Sequence, residues 1–245
     1  MQRRPSPVRP PGESTSLWHQ GLSLGSKALQ ETTPLKGFDA YVVGFHPAKD
    51  DPSMQMEAHH YCRQVNDDFL QCVLFDGNTA EANLIGVEYI VSERLYGTLP
   101  EGEHGYWHPH NFEVLGGSLI APGLPEPAER ALMAMLMNSY GKTWHTWHTG
   151  RLDTGPGDTL PLGEPMLMWS FNRDGQCDPA LEQHRNQAMD VDRAKKRASR
   201  SELVERAHPQ DGVALLDDAF PDSTPLPGVV DRSTGGSPPI DLFAS

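Results

Sequence analysis

The feature that most constrains this chain is the placement of its histidines in three short segments rich in aromatic side chains. The segments read Glu57-Ala-His-His-Tyr-Cys62, Trp107-His-Pro-His-Asn-Phe-Glu113 and Trp144-His-Thr-Trp-His148, and they hold six of the eleven histidines. Large aromatic side chains favour burial, and an imidazole buried beside them needs polar partners. These segments therefore indicate a partly buried polar site, such as a metal centre or an acid–base pocket.

The composition predicts one compact domain with loose ends. The chain has 245 residues, of which 23 are glycine and 22 are proline. A formal charge of −13 argues against a nucleic-acid backbone or an anionic membrane as the main partner. We expect no secretory leader, because no apolar run follows the first basic residues, and no stretch approaches the ~20 apolar residues of a transmembrane segment. With three cysteines, no obligatory disulfide framework is expected, so we predict a soluble, reduced, cytoplasmic protein.

The order of patterns along the chain predicts an α+β fold, with an antiparallel or mixed sheet and two main helices largely on one face. Residues 1–35 are predicted to be a disordered arm, 36–178 the domain, 179–207 a charged helical extension and 208–245 a disordered tail. Within the domain the expected elements are a hairpin over 54–76, helices over 79–96 and 125–140, and strands over 112–121, 144–149 and 166–171. Gly141 is expected to cap the helix over 125–140, and Asp178 is expected to cap the start of the helical extension.

The sharpest local signal for chemistry is His108-Pro-His110. Two histidines at i and i+2 of an extended segment point the same way and can hold one ion, whereas Glu113 faces away if the strand is regular. We predict a divalent metal such as zinc, held by His59, His108, His110 and His145. The alternative for each histidine is a structural role in the core.

Two carboxylates are candidates for a catalytic or ligand role at this site. Glu57 shares a strand face with His59, and Glu113 joins the site only if its strand is distorted. Glu88 lies either at the edge of the apolar stripe of the helix over 79–96 or directed inward as a ligand or base.

The hairpin register places Cys62 opposite Cys72, with His60 on the same face. That arrangement allows two outcomes. The three side chains form a second site for a soft metal, or the two thiols are free and buried, since a free cysteine behaves as a small hydrophobic residue.

Four motifs in order carry a family resemblance: Glu57-Ala-His-His-Tyr-Cys62, Leu84-Ile-Gly-Val-Glu-Tyr-Ile90, Trp107-His-Pro-His-Asn-Phe-Glu113 and Tyr140-Gly-Lys-Thr-Trp-His145. From about Phe38 to Gly175 the chain resembles the oil-body-associated protein family. The resemblance implies a link to lipid bodies, which the plant members have, and it implies no reaction. We expect no hydrophobic hairpin and no strongly amphipathic helix that would insert into a lipid monolayer.

Two functional hypotheses follow. The first is a binding or structural module linked to lipid storage, with a lipid body or a protein as its partner and a cytoplasmic or lipid-droplet location. The second is a histidine-rich metal-binding enzyme whose substrate the sequence does not identify. No particular oligomeric state is predicted.

Overall fold

The computed structural model describes residues 3–151 and 155–233. In these two ranges the strands are β1 Ala40–Pro47, β2 Gln55–Asn66, β3 Phe69–Phe75, β4 Leu84–Val91, β5 His108–Pro109, β6 Tyr140–His145, β7 Gly150–Arg151, β8 Gly155–Pro156 and β9 Met166–Met168. The helices are α1 Leu17–Leu29, α2 Glu93–Tyr96, α3 Glu101–His104, α4 Asn111–Leu115, α5 Glu126–Leu136, α6 Pro179–Met189 and α7 Arg193–Ser199. Short 3-10 turns span Thr33–Leu35, Ser201–Arg206 and Asp217–Ala219.

A curled antiparallel sheet organises the domain. Its strands follow the order β1-β2-β3-β4-β6-β5, and β9 also pairs with β6. Beyond β1, Ala48 forms a bridge with Met168, and the Trp169 amide donates to the Pro47 carbonyl at 2.8 Å. The two ends of the sheet therefore meet, so side chains on its concave face point toward one another. β7 and β8 form a separate pair.

The predicted α+β class with an antiparallel sheet is confirmed, but the detail of two main helices is not. The three longest helices in the described ranges are α1 with 13 residues and α5 and α6 with 11 each. Of these, α1 buries none of its residues, whereas α5 and α6 do. No helix in these ranges is long and apolar enough to cross a membrane.

The hairpin prediction is correct in register, since Cys62 pairs with Cys72 across β2 and β3. The two sulfur atoms are joined in a disulfide, so the expected free thiols are wrong. The bond also removes the soft-metal site with His60, because a metal would bind cysteine as a thiolate. Cys177 is the free cysteine.

The helix predicted over 79–96 is wrong, because its central part is strand β4 and only α2 is helical. The apolar residues at helical spacing include Leu84 and Val87, which lie on the exposed face of the strand. Residues two apart, such as Glu88 and Ile90, are buried. Branched side chains favour strands, and here that preference outweighs the helical spacing.

The strand predicted over 112–121 is also wrong. Its first half is helix α4, whose five residues are all buried, and Gly117 follows with a φ of 76°, a conformation that glycine adopts readily. The helix predicted over 125–140 is confirmed in its central part as α5, but Gly141 lies in β6 and does not cap the helix.

Parts of both predicted tails pack against the domain. Arg4 and Val8 are buried near the chain start, so the disordered arm is wrong for that stretch. The tail predicted to be disordered from residue 208 contributes buried apolar side chains up to Val229. Burying these side chains offsets the entropy of ordering the segment. Residues 234–245, the rest of that tail, lie outside the described residues.

The charged extension also contacts the domain closely. Asp178 caps α6 by accepting from the Ala180 amide, as the sequence indicates. Arg185 donates to the Ser118 carbonyl at 2.9 Å, and Arg200 donates to the Val114 carbonyl at 2.8 Å. Both arginines are buried, and both bind the segment that carries α4. The extension thereby supports the chain next to His110.

Candidate metal centre

Glu88 lies at the centre of a buried histidine cluster. Its position on β4 directs it to the concave face of the curled sheet, where it is 1% exposed. Four imidazoles from three segments of the chain surround its carboxylate. The Nε2 atoms lie 2.8 Å (His60) and 3.9 Å (His46) from Oε2, and 3.3 Å (His110) and 3.7 Å (His108) from Oε1.

Metal–nitrogen bonds of ~2.0–2.1 Å place neighbouring ligand atoms about 3.0–3.4 Å apart. The distances from Glu88 to His60 and His110 are close to this spacing, and those to His108 and His46 are longer. Two overlapping sets of three residues have ligand atoms within 4.8 Å of one another. They share Glu88, and they are His46–His60–Glu88 and Glu88–His108–His110. We call these five residues the Glu88 cluster.

Two of the imidazoles donate from Nδ1 to groups behind the ring. His60 Nδ1 donates to the Ala58 carbonyl at 3.1 Å. The Ser139 hydroxyl donates to the Leu136 carbonyl, so His110 Nδ1 donates to Ser139 Oγ at 2.8 Å. In both residues Nε2 faces an oxygen atom of Glu88, and this pairing is satisfied by a proton on Nε2 or by a metal ion between the two atoms.

Space for the cluster depends on a glycine in β6. A Cβ atom at Gly141 would lie 2.6 Å from His108 Nε2 and would also overlap Glu88 Oε1. Beside the cluster is a cavity of about 20 Å³, lined by polar groups that include His46, His110 and Glu113. That volume holds about one water molecule or ion.

Burial keeps two of these imidazoles, those of His46 and His108, neutral. It lowers the pKa of His108 to about 3 and that of His46 well below its usual range, with neighbouring histidines adding to both effects. Burial alone would raise the pKa of Glu88, but His60 and the other imidazoles hold it well below its usual range. The cluster thus combines an ionised carboxylate with two neutral imidazoles, and these are the protonation states in which carboxylates and histidines bind metal ions.

Glu113 borders the cavity in the opposite charge state. Burial, with a further contribution from the charge of Glu88, raises the pKa of Glu113 well above its usual range. On a regular strand, Glu113 would face away from His110. In the structure, His110 is the N-cap residue of α4 and Glu113 follows three residues later, a spacing that puts both on one side of the helix.

The structure separates the other predicted residues into two groups. His145 lies behind His46, with its Nε2 atom 3.2 Å from His46 Nδ1. His59 and Glu57 point to the opposite face of β2, where His59 Nε2 lies 3.0 Å from Glu57 Oε1. Arg4 pairs with the same carboxylate, so this pair belongs to a separate polar network.

Three members of the Glu88 cluster were not among the predicted ligands. His46 stands outside the three aromatic segments, and His60 was grouped with the cysteines. For Glu88 the sequence predicts a helical position, either at the edge of the apolar stripe or with its side chain directed inward. Strand alternation over residues 84–91 is the signal that places Glu88 on the buried face.

The comparisons with known proteins agree with the sequence resemblance. A family model described as "Protein of unknown function (DUF1264)" matches residues 32–204. The chain is 39% identical to oil body-associated protein 1A of Zea mays over 212 residues, which is 86% of each chain. It is 35% identical to oil body-associated protein 2A of Zea mays, covering 84% of this chain and 80% of that relative.

A third relative is oil body-associated protein 1B of Arabidopsis thaliana. It is 40% identical over 166 residues, which cover 68% of this chain and 67% of that relative. No solved structure matches the chain. The family model covers well over half of the 245 residues, and these relatives are similar over most of their length. The chain therefore belongs to the oil body-associated protein family, whose biochemical function is not defined.

Proposed function

We propose that this protein binds one divalent transition-metal ion in the Glu88 cluster. The observation that carries the proposal is that Nε2 of His60 and Nε2 of His110, in rings whose Nδ1 atoms already donate, both face the Glu88 carboxylate. A proton on either ring is the alternative cation. A metal ion satisfies both rings and the carboxylate at once, and it also gives a partner to His108 Nε2, which is buried and has no hydrogen bond within the described ranges.

The donor set indicates which metals fit. Imidazole nitrogens suit zinc, iron, nickel and copper, whereas calcium and magnesium prefer sites built from oxygen atoms. Second contacts of the kind that His60 and His110 make through Nδ1 are common behind metal-bound histidines, where they orient the ring. We therefore expect zinc or another first-row transition metal.

The cluster also supports the hypothesis of a metal-dependent enzyme. A bound ion in such a site acts as a Lewis acid on a ligand beside it. Glu113 would be the proton donor, because its carboxyl is kept protonated at the edge of the same cavity. Glu57, the other predicted catalytic carboxylate, has no place in this proposal because it lies on the far face of β2.

The test is metal content after reconstitution with Zn²⁺ and, separately, with Co²⁺, whose visible absorption reports its ligands. We expect about one equivalent in the wild type and its loss in the double variant His108→Ala/His110→Ala. The control His59→Ala also removes a buried histidine but leaves the Glu88 cluster intact. Thermal unfolding shows whether each variant is folded. A folded double variant that retains one equivalent, or a wild type that binds none, contradicts the proposal.

We further infer that the protein associates with lipid storage bodies. The support is the similarity over most of the chain to several proteins named for their association with oil bodies. The test is flotation of the purified chain with triacylglycerol droplets coated with phosphatidylcholine. Recovery in the floating layer supports the link, and quantitative recovery in the aqueous layer contradicts it.

A further inference from the structure

Helix α1 exposes an unusual number of large apolar side chains. It begins after Ser16, whose hydroxyl accepts from the His19 amide, and none of its residues is buried. Leu17 is 85% exposed and Trp18 is 71% exposed. Single exposed apolar residues are common on proteins, but a contiguous group marks a surface that meets an apolar partner.

The exposed side chains occupy one face of the helix. With 3.6 residues per turn, the apolar residues and the two glycines fall within an arc of about 160°. That arc contains Leu17, Trp18, Gly21, Leu22, Leu24, Gly25, Ala28 and Leu29, and the opposite arc contains His19, Gln20, Ser23, Ser26 and Lys27. The sequence expectation that the chain has no strongly amphipathic helix is therefore wrong.

The charge around α1 favours a lipid surface as the partner. The chain carries a formal charge of −13, yet residues 5–30 contain two basic side chains, Arg9 and Lys27, and a single acidic one, Glu13. Within α1 the only charged residue is Lys27, so the polar face is formed by serine, glutamine, histidine and lysine. Such a face is not repelled by phosphate headgroups, and it leaves binding to the apolar arc.

Contacts on both sides of α1 hold it to the domain. Before the helix, Arg4 pairs with Glu57, and the Ser6 hydroxyl donates to Asp76 Oδ2 at 2.6 Å. After it, the chain enters the sheet at Ala40. The contacts of Arg4 and Ser6 before α1, and strand β1 after it, connect the helix to the folded domain. The two connecting segments are residues 7–16 and 30–39.

We propose that α1 attaches this protein to a phospholipid surface by lying in the headgroup region with its apolar arc inserted. The proposal rests on the lipid link inferred above and names the element that makes it. Trp18 suits this position, because tryptophan is enriched at membrane–water interfaces. The weakly charged polar face predicts binding to neutral lipids, and stronger binding where headgroups are loosely packed.

The experiment is flotation of the full chain with phosphatidylcholine vesicles of small and large diameter, alongside the coated droplets. We expect the wild type to bind the small vesicles more strongly, and the variant Trp18→Ser/Leu22→Ser to bind at least about tenfold more weakly to every lipid surface. The matched control is Leu160→Ser/Leu162→Ser, which removes two exposed leucines from a loop. It is expected to bind like the wild type.

The outcomes separate this inference from the lipid link. Since α1 has no buried residue, its variant is expected to keep the wild-type unfolding temperature. If the α1 variant floats with droplets and vesicles as well as the wild type, α1 is not the attachment element, although the lipid link stands. If the wild type binds neither droplets nor vesicles, both the link and the role of α1 are overturned.

Discussion

His145 Nε2 lies 3.2 Å from Nδ1 of His46, and both imidazoles are buried. His46 Nε2 in turn faces Glu88 Oε2 at 3.9 Å. His145 thus contacts the Glu88 cluster through another histidine. Burial lowers its pKa to about 3, so it is a neutral hydrogen-bond partner that fixes the ring of His46.

The first prediction concerns this positioning role. Replacing His145 with alanine should weaken metal affinity about 10–100-fold while one equivalent still binds at saturation, as is typical for groups that orient a ligand. Competition with a chelator of known affinity measures the change. Loss of stoichiometry would make His145 a ligand itself, and an unchanged affinity would show that His46 does not need it.

The second prediction concerns Gly141. In Gly141→Ala the new methyl group would overlap Glu88 and His108, so the variant should lose the bound metal and be destabilised by about 1–3 kcal/mol. Gly102→Ala is the control, because a Cβ atom there has open space around it. Metal analysis and urea unfolding provide the two measurements. Full metal content in a stable Gly141→Ala variant would contradict the arrangement of the Glu88 cluster.

The third prediction concerns acid stability. Burial alone would raise the pKa of Glu57, but hydrogen bonds from His59 and Arg4 outweigh it and lower the pKa to about 2. A depressed pKa means that the unfolded chain binds more protons, so Glu57 stabilises the fold above its unfolded pKa, about 4.5, and this contribution is lost as the pH falls toward 2. The shift corresponds to about 3 kcal/mol.

Urea unfolding of metal-free protein tests this dependence. Glu57→Gln should be less stable than the wild type at about pH 6, and the difference should shrink as the pH approaches 3. Glu164→Gln is a suitable control, because Glu164 is exposed. A difference that stays constant across this range would show that the charge of Glu57 does not contribute.

The fourth prediction concerns the Cys62–Cys72 disulfide. It closes a loop with a sequence separation of 10, so removing it in Cys62→Ala/Cys72→Ala should cost about 2–3 kcal/mol. Alkylation of the unfolded, non-reduced protein should modify Cys177 alone. Modification of all three cysteines without a reductant would show that the disulfide is absent from the isolated protein.

The sequence predicted those parts of the fold that depend on local pattern. The hairpin, the cap at Asp178 and the centre of α5 have short-range signals, and all three are confirmed. The element at 79–96 was assigned wrongly because its exposed face carries Leu84, Val87 and Tyr89. These exposed apolar residues fall at helical spacing although they lie outside the core. Pairing with β3 and β6 makes the segment a strand.

The candidate site was predictable only where its residues are close in sequence. His108 and His110 stand in one motif, and the structure places both beside Glu88. His46 joins them through the curl of the sheet, which no local pattern encodes. His59 was expected in place of His60, because alternation along β2 shows that the two diverge but leaves open which face is inside.

The meeting of the sheet ends at Ala48 and Met168 affects how an ion would exchange. The ligand side chains are 5% exposed or less, so solvent has almost no direct path to them. An ion held there could leave only when part of the sheet opens, and its dissociation rate would follow that opening equilibrium. The lifetime of the loaded protein would then depend on hydrogen bonds far from the ligands, and loading would be easiest while the chain is folding.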